Sequence, residues 1–330
     1  MRIFICLLAS FSLIFTSHVT ASSDRPDHHA PIGKMAEHEH SEGEWMLSYR
    51  YMTMEMDGNR TGTSRLDSSE VLLSGTGSYR VAPTKMTMEM HMVGLMYVPS
   101  EKTTLMLMLP FIKNDMDHVT TTGSSFSTTS SGLGNISFSV ASQLKSNGPL
   151  IEIGIAWPTG SLNERDVTPM GDTVLPYPMQ IGSGTYDLSA GIGKTFFKES
   201  HSYGFRIKGV LPLGKNDENY SVGNKVSVSG WYRKKLSSLV SASLRASYEV
   251  RGNYNGSDAR YSMARVTNFV PTVDPKLRGG DRLDVSVGFN LYLPGRNRLG
   301  FEYAWPVRQD LEGPQLETDW MLTMGWQHAF

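Results

Sequence analysis

Apolar and polar residues alternate along most of the chain, most clearly at its C-terminal end. Every second residue there is apolar or aromatic and lies on one face of an extended strand: Trp320, Leu322, Met324, Trp326, His328 and Phe330. Asp319, Thr323 and Gln327 lie on the other face. Because successive side chains of a strand point to opposite faces, this segment presents one apolar and one polar surface. A closing strand with this pattern and a terminal aromatic residue is typical of bacterial outer-membrane β-barrels.

Further segments of roughly ten residues alternate in the same way, which is the length that a tilted strand needs to cross a bilayer. A sheet in lipid must close on itself, because every backbone N–H and C=O group needs a partner. The pattern therefore predicts an all-β fold, a transmembrane antiparallel up-and-down β-barrel of about twelve strands. The predicted strands before the terminal one are Glu44–Met56, Thr84–Val98, Thr103–Phe111, Asn135–Leu144, Leu150–Trp157, Thr185–Phe196, Tyr203–Leu211, Tyr220–Tyr232, Leu236–Val250, Arg282–Leu293 and Leu299–Trp305.

The predicted connections alternate between short and long. The short turns are Pro99–Glu101, Ser146–Pro149, Lys198–His201, Arg233–Lys235 and Pro294–Asn297. The longer polar stretches are Asp57–Tyr79, Asn114–Gly134, Pro158–Gly184, Pro212–Asn219, Gly252–Asp281 and Val307–Thr318. Outer-membrane barrels have short periplasmic turns and longer extracellular loops, so both termini are expected in the periplasm. A soluble β-sandwich shows the same residue alternation but gives no reason for this regular change of loop length.

The N-terminus predicts a secretory signal peptide. A basic Met1-Arg2 pair precedes the apolar stretch Ile3–Phe15, and Val19-Thr20-Ala21 fits a small-x-small cleavage site. The apolar stretch is short for a membrane anchor, which needs about 20 residues. The sequence is thus divided into a signal peptide (1–21), a His-rich periplasmic N-terminal segment (22–43) and an outer-membrane β-barrel (44–330).

Composition agrees with an outer-membrane location. The single cysteine, Cys6, lies in the predicted signal peptide, so no disulfide or thiolate site is expected in the mature chain. Lys plus Arg (31) nearly balance Asp plus Glu (32), which indicates no nucleic-acid partner. No sequence motif of a hydrolase, a nucleotide-binding enzyme or a zinc protease is present, and we expect no enzymatic activity.

Charged residues within the predicted strands indicate which face points inward. An Arg or Lys that faces lipid at mid-bilayer costs about 2–4 kcal/mol, and an acidic residue costs less. We therefore expect these side chains to line a lumen of mixed charge, whose narrow path suits a small solute. The predicted lumen-lining residues are Arg50, Glu89, His91, Glu152, Arg206, Lys208, Arg245, Glu249 and Glu302.

Methionine is concentrated in the first three predicted strands. The methionines of the first and third strands oppose an apolar face and should point inward; those of the second oppose Glu89 and His91 and should face lipid or a plug. Thioether and imidazole groups bind Cu(I), so a copper site is one interpretation, although methionine is also a flexible apolar filler. The His pairs before the barrel also fit a solvated tail or a short plug, which we favour over a metal site. The candidate metal ligands are His28, His29, His38, His40, Met52, Met54, His91, Met106 and Met108.

Several short motifs resemble one known family. The Leu133-Gly134-Asn135 strand entry and the Trp157-Pro158-Thr159-Gly160 and Leu211-Pro212-Leu213-Gly214 strand exits are similar to elements of the outer-membrane transporters assigned to the MetA pathway of phenol degradation. The Glu44–Met52 strand resembles a methionine-rich branch of that family. The family usually has an acidic residue where this chain has Asn135. The resemblance extends over most of the mature chain, implies an outer-membrane barrel that takes up small compounds, aromatic ones included, and supplies no catalytic residues.

The sequence thus predicts a monomeric outer-membrane channel or transporter for a small solute of aromatic or hydrophobic character. The expected partners are membrane lipid and the solute, and no cofactor is expected. Two alternatives stay open at this point. One is an outer-membrane copper-binding protein that uses Met and His; the other is a structural or adhesive barrel whose loops carry the function.

Overall fold

The alternating segments form strands that pair with their neighbours along the chain. A computed structural model describes residues 31–33, 42–143, 145 and 148–330. The strands are β1 (Trp45–Gly62), β2 (Ser64–Leu66), β3 (Val81–Ser100), β4 (Thr103–Thr120), β5 (Ser125–Leu133), β6 (Ser137–Gln143), β7 (Leu150–Ala156), β8 (Arg165–Thr168), β9 (Gly171–Val174), β10 (Tyr186–Phe197), β11 (His201–Leu213), β12 (Tyr220–Ser221), β13 (Lys225–Lys235), β14 (Val240–Arg251), β15 (Asn255–Gly256), β16 (Gly280–Leu293) and β17 (Asn297–Ala329). The helices are α1 (Ser68–Val71), α2 (Ser262–Val266) and the 3₁₀ turns Tyr177–Met179, Ala259–Tyr261, Pro271–Val273 and Pro275–Leu277.

The main sheet closes on itself. Its order is β1-β3-β4-β6-β7-β10-β11-β13-β14-β16-β17, and β17 pairs with β1. β17 is long because it makes two passes: Asn297–Leu311 pairs with β16, and Leu311–Ala329 pairs with β1. The two passes lie side by side, since the Ala329 amide donates to the Arg296 carbonyl. The described residues therefore form a closed antiparallel barrel of about twelve strand passes, which confirms the predicted fold.

Short and long connections alternate around the barrel. Tight turns follow β3, β6, β10, β13 and β16, at the end of the barrel where β1 begins. Longer connections follow β1, β4, β7, β11 and β14, at the opposite end. In barrels of the outer-membrane type the first end faces the periplasm and the second the exterior. The loop end is therefore the extracellular end.

Several strands extend further than the alternation predicts. β1 continues to Gly62, and β4 continues to Thr120 and forms a polar hairpin with β5. The predicted loops 57–79 and 114–134 are therefore largely strand. Outside the bilayer no lipid meets the outer face, so Ser and Thr occupy both faces and the alternation disappears. The turn predicted at 233–235 lies at 236–239, because β13 continues to Lys235.

The two faces of the barrel wall differ in composition. Large apolar side chains are exposed on the outer face, among them Leu47, Phe205 and Phe301. Trp45 and Tyr97 pack together near the periplasmic end of this face, with ring centroids 4.6 Å apart. The inner face buries charged and small polar side chains instead. Among the described residues, no helix is long and apolar enough to cross a membrane.

The extracellular loops pack together into a cap over the barrel. Its core contains Val81, Val270 and Val273 together with Tyr177, Tyr220 and Tyr261. The ring of Tyr177 makes edge contacts with those of Tyr220 and Tyr261, at centroid distances of 4.8 and 4.9 Å. Edge-to-face aromatic pairs of this kind stabilise packing beyond the burial of their area. The loop cap is therefore a folded layer with its own core.

Two of the motifs that carry the family resemblance contact each other at the base of the cap. The Thr159 hydroxyl donates to the Gly134 carbonyl at 2.7 Å and accepts from the Ile136 amide at 2.9 Å. The Gly160 amide donates to the Asn135 side-chain oxygen at 3.1 Å. These motifs therefore fix one strand entry to one strand exit.

Candidate functional site

Charged side chains from several strands meet inside the barrel, and we call this set the ionic wall. It comprises Glu152 on β7, Arg206 and Lys208 on β11, Arg245 on β14 and Glu302 on β17. Lys208 Nζ lies 2.7 Å from Glu152 Oε1, and Arg206 contacts the same carboxylate. Arg245 Nε donates to Glu302 Oε2 at 3.1 Å. Both carboxylates are buried, so each has the cationic partner that its desolvation requires.

Two more of the predicted lumen residues also lie on the inner face. Arg50 is buried on β1, close to Gly325 of β17. Glu249, toward the extracellular end of β14, lies 3.5 Å from Lys225 Nζ and 3.3 Å from Arg251 Nη2. The structure therefore places both on the lumen side of their strands.

Glu89 and His91 lie on the outer face of β3, so the prediction that they line the lumen is wrong. His91 Nδ1 is 2.7 Å from the hydroxyl of Tyr49, which is exposed on that face. The Tyr51 hydroxyl donates to Glu89 Oε1 at 2.6 Å. The cost of a charge facing lipid applies at mid-bilayer and falls to about 0–1 kcal/mol near the interfaces. Both residues lie toward the extracellular end of the outer face, where tyrosine hydroxyls contact them and Lys113 Nζ lies 4.0 Å from Glu89 Oε2.

A short N-terminal segment, Pro31–Gly33, lies inside the lumen. The Ile32 side chain is 1% exposed. It packs on two inward-facing glycines: a Cβ on Gly300 would lie 2.8 Å from Ile32 Cβ, and one on Gly325 would lie 2.9 Å from Ile32 Cδ1. Because neither glycine has a side chain, the wall leaves the space that Ile32 occupies. This location agrees with a plug for the part of the 22–43 segment that the structure describes.

Methionines line the inner face of β1, β3 and β4, and we call this surface the thioether wall. They form rows across neighbouring strands because their registers place them directly opposite one another. From the periplasmic end upward, the three-membered rows are Met46–Met96–Met106, Met321–Met54–Met88 and Met56–Met86–Met116. On β1 and β4 the methionine side chains point inward, as predicted. For β3 the expectation was lipid or a plug, and lipid is wrong, since Met86, Met88, Met90 and Met92 share the lumen face with Gly94 and Met96.

The predicted copper-binding cluster is not brought together. His91 points outward, whereas Met52, Met54, Met106 and Met108 lie on the inner face. The candidate ligands His28, His29, His38 and His40, and the signal peptide 1–21, lie outside the described residues. Within the described part of the chain, no group of three or more His, Cys, Asp or Glu side chains could hold a metal ion.

A cavity of about 380 Å³ lies in the loop cap. Its lining is mostly apolar and includes Val81, Phe126, Leu175, Ala264 and Val273. Pockets that bind small molecules are typically apolar, with a few polar groups, and about 300–1,000 Å³ in volume. The cavity is therefore large enough and apolar enough for a small organic solute.

The floor of this cavity is the top of the thioether wall. Leu175 lines the cavity and also packs in one buried cluster with Met86, Met116 and Met179. The backbone at Leu175 is held in place by Gln180, whose Nε2 donates to the Leu175 carbonyl at 2.6 Å. The four residues of the cluster are 0–3% exposed, so close apolar packing joins the extracellular cavity to the inner wall of the barrel.

His118 is a buried imidazole at this cavity. It lies on the inner face of β4 and stacks on Phe126 at a centroid distance of 4.7 Å. It is about fifteen residues above the periplasmic turn, roughly 50 Å of strand, and thus beyond an apolar band about 25 Å tall. Burial lowers the pKa of His118 from 6.5 to about 4, so the imidazole is neutral at neutral pH. A neutral ring suits an uncharged ligand.

Some lumen residues were not identified from the sequence. Arg298 donates to the side-chain oxygens of Gln327 at 2.7 Å and Asn290 at 2.8 Å. Trp231 is buried inside the barrel, where the lack of a side chain at Gly204 makes room for its ring. The alternation on β13 and β17 places both Trp231 and Arg298 opposite the apolar face and could have revealed them. Trp231 was missed because an aromatic residue in a barrel strand is expected on the lipid side.

The closed wall, the exposed apolar outer face and the polar, partly filled lumen define an outer-membrane β-barrel. A comparison with family models matches residues 73–306, more than two thirds of the chain, to the family described as "Putative MetA-pathway of phenol degradation". The chain belongs to this family.

A solved outer-membrane channel has a similar fold. The COG4313 outer membrane channel from Pseudomonas putida F1 is similar with a TM-score of 0.59 and 11% sequence identity, over 94% of this chain and 100% of that chain. The translocator domain of the autotransporter NalP from Neisseria meningitidis has a TM-score of 0.48 and 11% identity, over 88% of this chain and 90% of that chain. No curated protein matches the sequence. At 11% identity the similarity to the COG4313 channel concerns the fold alone.

Proposed function

We propose that this protein is a passive channel that carries small apolar or aromatic solutes across the outer membrane. One observation carries the proposal: Leu175 belongs both to the apolar cavity in the loop cap and to the methionine cluster on the inner wall. A solute that leaves the cavity toward the barrel therefore has to displace thioether and aliphatic side chains rather than paired charges. Flexible methionine side chains adapt to ligands of different shape, which suits a path for several related solutes.

The comparisons support the same function. The COG4313 protein, whose fold is similar, is described as an outer-membrane channel, and the matching family is described as belonging to a pathway of phenol degradation. We further propose that the protein acts without catalysis and as a monomer surrounded by lipid. Pairing of β17 with β1 closes the wall within a single chain, so that no second copy is needed to complete it.

Filling the cavity tests this proposal. Ala264 on helix α2 lines the cavity, and Val266 on the same helix is 84% exposed. In a strain that lacks the chromosomal copy, A264W should lower the uptake of labelled toluene by intact cells several-fold, because the indole occupies the solute's place. V266W adds the same side chain outside the cavity and should leave uptake at the wild-type rate.

Two results would contradict the proposed function. One is equal toluene uptake with and without the wild-type barrel, which would instead favour a structural or adhesive role. The other is unchanged uptake in A264W, provided that both variants reach the outer membrane in equal amounts and show the heat-dependent gel mobility of folded barrels.

A further inference from the structure

The middle row of the thioether wall has a property that an apolar path does not require. Met54 on β1 lies directly opposite Met88 on β3 and directly opposite Met321 on β17. Directly paired residues of an antiparallel sheet have Cβ atoms about 4.5–5.5 Å apart. Each methionine has a long, flexible side chain that ends in a polarisable sulfur. The three thioether sulfurs can therefore converge on one point in the lumen, next to the inner face of the sheet.

The sulfur atoms of this row border the polar lumen. The Thr318 hydroxyl lies 3.9 Å from Met54 Sδ, and Arg282 Nη2 lies 3.5 Å from Met321 Sδ. The charge of Arg282 is balanced by Asp284, whose carboxylate is 2.9 Å from Arg282 Nε. Met54, Met88 and Met321 are each only partly buried. An ion in the lumen can therefore approach these sulfur atoms.

The periplasmic row differs in this respect, although it has the same composition. Met46, Met96 and Met106 are 4%, 1% and 3% exposed and pack with Ala141 in a closed cluster. These sulfur atoms already have close neighbours on all sides. The two rows therefore form a natural pair, one accessible and one closed.

We propose that Met54, Met88 and Met321 form a binding site for a soft monovalent cation, Cu(I) or Ag(I). Thioethers are soft, uncharged ligands, and soft ligands select Cu(I) over hard ions such as Mg²⁺ or Ca²⁺. They do not bind protons in the physiological pH range, so the site stays competent when imidazoles are charged. The proposal differs from the copper cluster expected from the sequence, because it contains no His91 and draws its third ligand from β17.

Neighbouring methionines offer further sulfur ligands along the same wall. Met52 and Met90, both partly buried, pair directly one step toward the periplasm. Met56, also partly buried, lies one step toward the cap, whereas Met86 and Met116 beside it are 3% and 0% exposed and belong to a closed cluster. Steps of two residues along a strand are about 7 Å apart. A soft cation bound at the middle row thus has other thioethers within a short distance, as exchange between sites requires.

Silver titration of the folded barrel tests the site without reference to solute transport. The tag-free protein in detergent micelles is titrated with silver nitrate at pH 5, where ordinary imidazoles with pKa near 6.5 are protonated and thioethers are not. The wild type should show saturable binding. M54L/M88L/M321L should lose one equivalent, because leucine fills the same volume without a sulfur.

M46L/M96L/M106L is the matched control, since it removes the same three sulfur atoms from the closed row and should keep that equivalent. M88L alone, which keeps two ligands and perturbs folding least, should weaken silver binding severalfold. X-ray absorption of the silver complex should show a first shell of sulfur. The proposal is overturned by absence of saturable binding to the wild type, by unchanged binding in the M54L/M88L/M321L variant, by loss in the control, or by a nitrogen or oxygen first shell.

Discussion

The ionic wall and the thioether wall are built from the same kind of alternating strand, yet they place opposite chemistry on the lumen face. On β7, β11, β14 and β17 every buried carboxylate of the ionic wall meets a cation, so its geometry is fixed by paired charges. On β1, β3 and β4 the corresponding positions are methionines, whose packing is adaptable. The side chains of the ionic wall fill part of the lumen and link neighbouring strands, whereas the thioether wall offers a deformable apolar surface. One part of the sheet therefore stabilises the barrel, and another part provides the surface along which we propose that solute moves.

The largest expected effect comes from breaking the ionic wall. Replacing Arg245 with Ala leaves the Glu302 carboxylate, which is 3% exposed, buried without the cation that hydrogen-bonds to it. Removing one partner of a buried pair typically costs about 3–5 kcal/mol. Denaturant unfolding in micelles measures the loss. R165A is the control, because the Arg165–Asp172 pair is exposed and should contribute less than about 1 kcal/mol. Equal losses in both variants would show that the wall does not hold the barrel together.

A second effect is a pH dependence at the top of the thioether wall. His118 has a pKa of 6.5 when unfolded and about 4 in the folded cap. Between these values the unfolded chain binds the proton and the folded chain does not, so stability falls as pH is lowered from 6.5 to 4. The expected loss is about 3 kcal/mol.

H118F keeps the ring that stacks on Phe126 and removes the titration. Unfolding free energies of wild type and H118F measured between pH 7 and pH 4 should therefore diverge as the pH is lowered. Parallel pH profiles would contradict the burial of a neutral imidazole.

A third effect concerns the N-terminal segment in the lumen. In G325A the added methyl group would lie 2.9 Å from Ile32 Cδ1 and 3.2 Å from Arg50 Cγ. Overpacking of this kind typically costs about 1–3 kcal/mol, and here the strain is relieved if Pro31–Gly33 leaves its place. We expect a higher single-channel conductance in planar bilayers. G230A adds a methyl group at an exposed site, so its conductance should match the wild type. Unchanged conductance in G325A would contradict a plug at this position.

The smallest change in stability and in toluene uptake should follow substitutions that keep the thioether wall apolar. In M52L/M90L the paired side chains keep their volume and hydrophobic character, so stability should change by less than about 1.5 kcal/mol per residue. Toluene uptake by intact cells should stay near the wild-type rate. M90Q has a similar length but places an amide on the path and should lower uptake. A strong defect in M52L/M90L would show that the wall has a role beyond its apolar surface.

Much of the fold follows from the sequence because each strand has lipid on its outer face and the polar lumen on its inner face. The alternation of Phe205, Arg206 and Ile207 fixes which face meets lipid, and the terminal strand predicts closure. The upper parts of β1, β4 and β5 could not be recognised, since beyond the bilayer both faces are polar. Glu89 and His91 were assigned to the wrong face because the cost of an outward charge depends on depth, which one strand does not reveal.

The plug and the cavity have no local signature in the sequence. Pro31–Gly33 shows no periodicity, and its place in the lumen depends on two glycines of β17 far away in the chain. The cavity assembles from residues on β4, β5, α2 and the loop that contains Leu175. Such sites depend on packing between segments that are distant in the chain, whereas strands can be predicted from the apolar and polar alternation of residues close together in the chain.

The central claim is that solute passes along the thioether wall and not among the paired charges. Its most direct test is the uptake of labelled toluene and of labelled benzenesulfonate, of similar size but anionic, by intact cells with and without the wild-type barrel. The barrel should raise the rate for toluene several-fold and leave the rate for benzenesulfonate near the barrel-free background. An equal increase for both, or an increase for the anion alone, would contradict it.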